Sequence, residues 1–485
     1  MNGQDSGGSR RDVMKAMLAG LVATAAGGAA SAAAPAARTG NRALRGDTLI
    51  RNGYVLTQDA GIGDIEGGDV HIRGTKIVAV GRNLNVPGAR IIDARNTIVL
   101  PGFVDTHWHM WTSIWRGLVL DGNVWGYFPL RKLMNFYTAQ DHYTSVMHSA
   151  VEGLMAGFTT VHNYAHGIRS VEDMEAELRA LDDSGIRARF GCNPLADEKP
   201  PYSRSVALKL RQDWAGSRSD DRLTIGLLSE LGAAWESDVR FARDNGMGIS
   251  AHGSLGGMFP PAVSAASDEA IIKRAEAGLL GPEALLIHVV GSRPETYRAL
   301  ASSGARLSLA PMTEAVAPMG IPPFADAMSA GVPLANIGLS VDVTAQSVAD
   351  MFGIMRGAVN ATRMRTLQQY SMVPRQAIEM ATLGGAGCLG LADQVGSLTP
   401  GKCADVILVR TDAINMMPGA GLDPTRLIVL CAQPSNVDTV MVNGRIVKRN
   451  GRAVGIDVER VVADAADAQR RLRERAQLPP LDLKA

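Results

Sequence analysis

Pro101-Gly102-Phe103-Val104-Asp105-Thr106-His107-Trp108-His109 decides how the rest of this chain is read. A short apolar run, Thr97 to Leu100, leads into it. Extended backbone sends residues i and i+2 to the same side. His107 and His109 can therefore offer two imidazole nitrogens to one point in space. Neutral imidazole is a common ligand for zinc and similar divalent ions. A His-x-His pair alone says little, and the residues downstream supply the rest.

Toward the C-terminus, residues 101–392 alternate short apolar strands with longer helical stretches, the pattern of repeated βα units. Strands are expected at Thr159–His162, Arg187–Phe190, Thr224–Leu228, Gly248–His252, Leu285–His288, Arg306–Leu309 and Ile337–Asp342. With the strand ending at His107 they number eight, the count for a closed parallel barrel. In such barrels the C-terminal strand ends face the active site. His107 and His109 follow the first strand, His252 the fifth, His288 the sixth and Asp342 the eighth. Three imidazoles and one carboxylate converging from separate strands make a reasonable ligand set for a catalytic Zn²⁺ or Fe²⁺ that keeps a water position open.

On either side of this middle the pattern changes to short alternating strands separated by Gly, Asp and Asn. They fall between Asp47 and Leu100, and again at Gly401–Val409 and Val437–Val447. The two segments (47–100 and 393–456) read as one small β-sandwich built from both chain ends. Residues 457–485 read as a charged terminal helix and a Pro-containing tail.

The full chain of 485 residues suits one large α/β barrel with an appended domain. Its 49 basic and 48 acidic side chains nearly cancel, so nucleic acid and anionic membranes are not expected partners. The four cysteines, at positions 192, 388, 403 and 431, are scattered and read as small buried fillers. Near the N-terminus, Arg10-Arg11 precedes an uncharged Ala/Gly-rich run from Ala16 to Ala37. Paired arginines, a weakly hydrophobic middle and small residues near Ala30-Ser31-Ala32 resemble a twin-arginine signal peptide over residues 1–37. The expectations are export by the twin-arginine machinery, a periplasmic or secreted location, and no stable membrane anchor.

The Pro101–His109 motif, the Ala251-His252 and Ile287-His288 strand ends, Ser340-Val341-Asp342 and Gly401-Lys402-Cys403-Ala404-Asp405 together resemble the metal-dependent amidohydrolase superfamily. Within it they are most similar to the cytosine deaminase and chlorohydrolase (ATZ/TRZ-type) branch. The resemblance implies a distorted (β/α)8 barrel with a β-sandwich from both termini. It implies one divalent metal, zinc before iron, on His107, His109, His252 and Asp342, with His288 positioning water or substrate. A homodimer is expected only by analogy with that family. The implied reaction is hydrolysis of a non-peptide C–N bond, or of C–halogen, in a small cyclic or aromatic nitrogen compound. An amidase acting on a cyclic or N-acyl amide is the alternative, and a non-catalytic metal-containing binding protein a further one. A divalent ion brings the pKa of its water from about 16 to roughly 7, and Asp342 and His288 can move or donate protons beside it.

One position departs from the family. Many deaminases of this branch carry a glutamate three residues after the third metal histidine, and here that residue is Leu255. Glu230, past strand four, and Glu314, past strand seven, are the carboxylates that could replace it. Either could equally be a helix cap or a solvated acid. No lysine stands at the end of strand four to carry the carboxylate bridge of binuclear members, so one metal is expected. The loop after strand one is aromatic. Trp111 and Trp115, with Trp108, Trp125, Tyr127 and Phe128 nearby, could form a flat wall for a planar ring, or could pack that loop onto the barrel. His162 and His166 could add polar contacts there. Gly385-Ala386-Gly387-Cys388-Leu389-Gly390 fits G-x-G-x-x-G but follows a helical stretch, so the strand context of a dinucleotide site is missing. The Pro-Cys-x-x-Cys ligand run of the base-editing deaminases is absent as well.

Overall fold

The computed structural model describes residues 46–119, 127–192, 202–215, 220–419 and 421–478. The expected export segment, Trp125 and the end of the C-terminal tail lie outside the described residues, as does the side chain of Phe128. Five strands open the described chain: β1 (Asp47–Val55), β2 (Ile65–Arg73), β3 (Lys76–Gly81), β4 (Arg90–Asp93) and β5 (Thr97–Pro101). Eight follow: β6 (Phe103–Trp108), β7 (Phe158–Ala165), β8 (Arg187–Cys192), β9 (Leu223–Leu228), β10 (Ile249–His252), β11 (Ala284–Ile287), β12 (Arg306–Leu309) and β13 (Ile337–Leu339). Four close the chain: β14 (Val406–Arg410), β15 (Val437–Val442), β16 (Arg445–Arg449) and β17 (Arg452–Ala453).

Strands β6 to β13 pair in parallel in chain order, one for each strand expected from the sequence. Most of them are buried along their whole length, the reason they read as continuous apolar runs instead of alternating ones. The seam between β13 and β6 is drawn together by backbone bonds around Asp342. Its N–H donates to the His107 carbonyl at 2.9 Å, and its carbonyl accepts from the His109 N–H at 2.7 Å. Close approach at this seam needs Gly338, where a Cβ would fall 2.3 Å from the Thr106 methyl. The barrel is therefore nearly closed, with the metal-motif residues themselves completing it.

The remaining strands form one mixed nine-stranded sheet, ordered β17-β16-β15-β14-β5-β1-β2-β3, with β4 added beside β1. Strand β5 joins the two chain ends, parallel to β1 and antiparallel to β14. The sheet has its own apolar core, including Ile50, Val70, Val99, Val406 and Met441. It is fastened to the barrel by a buried ion pair. Arg187, the first residue of β8, donates from Nε to Asp405 Oδ2 at 2.9 Å and from Nη2 to Asp405 Oδ1 at 3.1 Å. Asp405 Oδ1 also accepts the Asn443 N–H at 2.8 Å.

The segment carrying the G-x-G-x-x-G pattern is a short helix, Leu383–Cys388, packed against β6, where a Cβ on Gly385 would sit 3.0 Å from Val104 Cβ. Gly385 serves that close approach, while Gly387 lets the helix meet the Ala335 carbonyl. The expected terminal helix is Val458–Arg475, N-capped by the Asp457 side chain. Ala465, Ala468 and Leu472 bury against Trp111, Ile114 and Trp115. Gln469 Nε2 donates to the Ile114 and Arg116 carbonyls, both at 2.9 Å, anchoring the turn that follows His109. No helix among the described residues is long and apolar enough to cross a membrane.

Candidate metal centre

The strand ends bring five side chains together. The ligand atoms of His107, His109 and His252 lie within 4.8 Å of one another, and so do those of His107, His288 and Asp342. Asp342 Oδ1 is 3.2 Å from His107 Nε2 and 3.3 Å from His109 Nε2, and its Oδ2 is 3.8 Å from His288 Nε2. Asp342 and His288 both hold positive φ, +65° and +70°. Non-glycine residues rarely adopt that backbone, and surrounding structure must impose it. Here the seam hydrogen bonds fix Asp342, and the His288 N–H is tied to the Ser308 carbonyl at 2.9 Å.

Electrostatics and the donor set both fit a divalent cation. Burial, reinforced by the neighbouring His109, pushes His107 down to about 3. Burial also holds His252 well below the ordinary imidazole range, with the other imidazoles adding to the effect. Burial would raise Asp342, but its contacts with His107 and His109 outweigh that and hold it ionised. Neutral imidazoles around an ionised carboxylate are the protonation states that zinc-type ligands need. Both ring nitrogens of His107 are buried without a hydrogen-bond partner, a costly state unless another group takes a lone pair. His109 Nδ1 lies 3.3 Å from the Tyr164 carbonyl. Donating there leaves Nε2 as the free lone pair, the usual outer-shell arrangement for a ligating histidine.

Asp105, which sequence reasoning passed over, underlies this cluster. Its Oδ1 accepts the His107 N–H at 2.9 Å and its Oδ2 the Val341 N–H at 2.7 Å. One buried carboxylate thus sets the backbone of His107 and of the residue before Asp342. Burial pushes this carboxyl up to about 8 against the pull of those two N–H groups. The available signal was the one carboxylate within that buried strand. Asp105→Asn turns an amide donor toward one of the two N–H groups. The expected loss is about 1–3 kcal/mol of stability, read as a lower urea midpoint together with a reduced zinc content. An unchanged midpoint would remove Asp105 from this role.

His109, His252, His288 and Asp342 form the floor of a cavity of about 550 Å³, with His107 buried beneath them. Glu230, His166 and Leu255 line it, as expected for residues near the strand ends. The His166 ring centroid is 4.4 Å from that of His109. Tyr164 also lines the cavity, with ring centroids 4.6 Å from His107 and 4.7 Å from His252. It was missed because β7 runs on to Ala165, beyond the expected end at His162. His162 accordingly sits inside the barrel, with Nδ1 3.0 Å from the Arg189 carbonyl and Nε2 3.0 Å from Ser250 Oγ, and takes no part in the cavity.

Two further expectations change. Glu314 does not line the cavity and meets the imidazole cluster only from behind His288. Its Oε1 is 2.9 Å from His288 Nδ1 and also accepts the Ala310 N–H at 3.0 Å. It is a positioning residue behind His288; burial would lower that imidazole, but the Glu314 contact and the charge of Asp342 together raise it. Trp111 and Trp115 do not form a wall of the cavity, being fully buried beneath the terminal helix. Trp111 backs the site from behind, with ring centroids 5.2 Å from His166 and 6.3 Å from His109. An indole gains more from a dry pocket between helix and loop than from a wet cavity wall.

Comparison with known proteins agrees with this geometry. Residues 98–447 match the amidohydrolase family. A 5'-deoxyadenosine deaminase from Methanosarcina barkeri is 26% identical over 445 residues, which cover 88% of this chain and 98% of the relative. A 5-methylthioadenosine/S-adenosylhomocysteine deaminase from Desulforamulus reducens is 26% identical over 451 residues, covering 87% and 98%. Among solved structures, a mutant of atrazine chlorohydrolase from Arthrobacter aurescens TC1, complexed with zinc and atraton, superposes with a TM-score of 0.79 at 22% identity, covering 87% of this chain and 100% of the other. A zinc-bound adenosine deaminase from Xanthomonas campestris gives 0.79 at 21% identity, covering 89% and 99%. These two share the fold. With most of its length inside the family match, the chain belongs to the amidohydrolase family, as a hydrolase of carbon–nitrogen bonds other than peptide bonds.

Proposed function

We propose that the protein is a mononuclear metal hydrolase that opens a C–N bond, or C–halogen, in a small cyclic or aromatic nitrogen compound. The observation that carries this reading is the convergence of His109, His252 and Asp342 at the floor of one cavity, with His107 buried directly against them. Those four would hold the ion, zinc before iron. When bound, it supplies Lewis acidity that brings the pKa of water from about 16 to about 7. Strand β9 ends at Leu228, followed by Ser229 and Glu230, with no lysine to bridge a second ion.

Asp342 takes the proton of the attacking water and returns it to the leaving nitrogen. His288, braced by Glu314, donates toward the oxygen that gains charge on the substrate carbon. Leu255 has no proton to give, so protonation of the substrate ring falls to Asp342 and to Glu230, the other carboxylate on the cavity wall. Burial raises Glu230 above the ordinary carboxylate value, which suits an acid that must sometimes be protonated. The relatives named as deaminases support the C–N reading. The paired arginines and small-residue run before residue 38 support export by the twin-arginine route, and fractionation of expressing cells tests that location.

Elemental analysis of the purified protein should find about one divalent ion per chain. A panel of ring amines, cyclic amides and halogenated heterocycles then separates the chemistries. Ammonia release identifies a deaminase, a new carboxylate an amidase, and halide a chlorohydrolase. Metal-loaded protein that turns over none of the panel would be a binding protein.

A further inference from the structure

The cavity walls differ sharply in character. One side, from the segments after β10 and β12, is apolar and presents Leu255, Met258, Phe259 and Met319. The other presents two guanidinium groups, Arg131 and Arg169. Arg131 opens the 3-10 helix Arg131–Phe136, and Arg169 follows β7. Arg169 Nη1 donates to the Asn135 carbonyl at 2.8 Å, which ties it to the same 3-10 helix. Neither arginine forms an ion pair with a carboxylate among the described residues, and the Arg131 side chain has no hydrogen bond there. Other arginines, such as Arg187, Arg204 and Arg222, hold a partner acid.

The acids that share the cavity do not neutralise this wall. Asp342 is committed to the imidazole cluster. Glu230 lies close enough to feel the Arg131 charge but makes no ion pair with it. A ligand filling the cavity strips water from the guanidinium groups. That desolvation is costly unless the ligand brings a counter-charge, and a planar guanidinium matches an oxyanion with two parallel N–H bonds.

Resting on the hydrolase reading above, we propose that the substrate is amphiphilic: a ring that packs against Leu255, Met258 and Phe259, and an oxyanion, carboxylate or phosphate-like, held by Arg131 with Arg169 beside it. Arg131 is then a specificity-determining residue. It selects charged over neutral members of the substrate class and takes no part in bond cleavage.

Calorimetric titration of zinc-loaded protein with 3-phenylpropionate and with its uncharged amide, 3-phenylpropanamide, tests this without turnover. Wild type is expected to bind the carboxylate about tenfold more tightly, the worth of one charge-assisted contact. The preference should fall to near parity in Arg131→Met and recover in part in Arg131→Lys. Equal or undetectable binding of both probes by wild type overturns the proposal. So does a preference that survives in the Arg131→Met/Arg169→Met double variant, because the carboxylate would then be sitting on the ion. Both side chains are exposed, so the variants should fold, and circular dichroism checks that they do. A hydrolase reading that fails shows instead as silence across the turnover panel, and leaves the binding preference untouched.

Discussion

Asp342→Asn should lower kcat by roughly 10²–10⁴-fold, the range for a lost general acid–base group. Asparagine keeps the side-chain volume and tolerates the left-handed backbone that position 342 adopts at φ +65°. The two backbone bonds that close the barrel seam at this residue do not involve its side chain. The fold is therefore expected to survive, which makes the kinetic result interpretable. What is lost is a negative charge 3.2 Å from His107 and 3.3 Å from His109. The variant should hold less zinc and, even when fully loaded, be unable to accept a proton at Oδ. Steady-state rates at matched zinc content separate the two effects. Wild-type turnover by a zinc-replete variant would end the assignment of Asp342 as proton carrier.

Asp405→Ala should cost about 3–5 kcal/mol of stability, the usual penalty for stranding one half of a buried ion pair. Arg187 is 1% exposed and Asp405 3% exposed, so neither can turn to solvent. The alanine variant also leaves the Asn443 N–H without its acceptor. Arg187 begins β8, at the opposite end of the barrel from the imidazole cluster. Urea unfolding should shift strongly, while the rate per folded molecule stays near wild type. A midpoint within measurement error of wild type would show that the sheet is held to the barrel by other contacts.

The gap between what the sequence revealed and what it hid has a consistent cause. Strand ends are local events: a short apolar run stops at a turn, and the next polar residue stands at the rim. His107, His109, His252, His288 and Asp342 were each placed that way, and even the three-residue strand β13 was found. The aromatic loop was ambiguous because a tryptophan carries the same apolar surface whether it lines a cavity or fills a core. A helix more than three hundred residues further along settled it, burying Trp111 and Trp115 and binding their turn through Gln469. Glu314 was equally ambiguous. A carboxylate after a strand end can face the cavity or brace a neighbour, and the choice depends on rotamer and on the helix Pro311–Val316 that holds it.

By itself the sequence determined the eight-stranded barrel, the second sheet drawn from both ends, and the strand ends at which His107, His109, His252 and Asp342 stand. Periodicity and chain direction suffice for these. Only the tertiary structure decided which groups brace that cluster, through Asp105 and Glu314, and which cations on the cavity wall have no carboxylate partner among the described residues. Those properties depend on distances between residues far apart in the chain, and periodicity fixes the side a residue faces but not what it meets there.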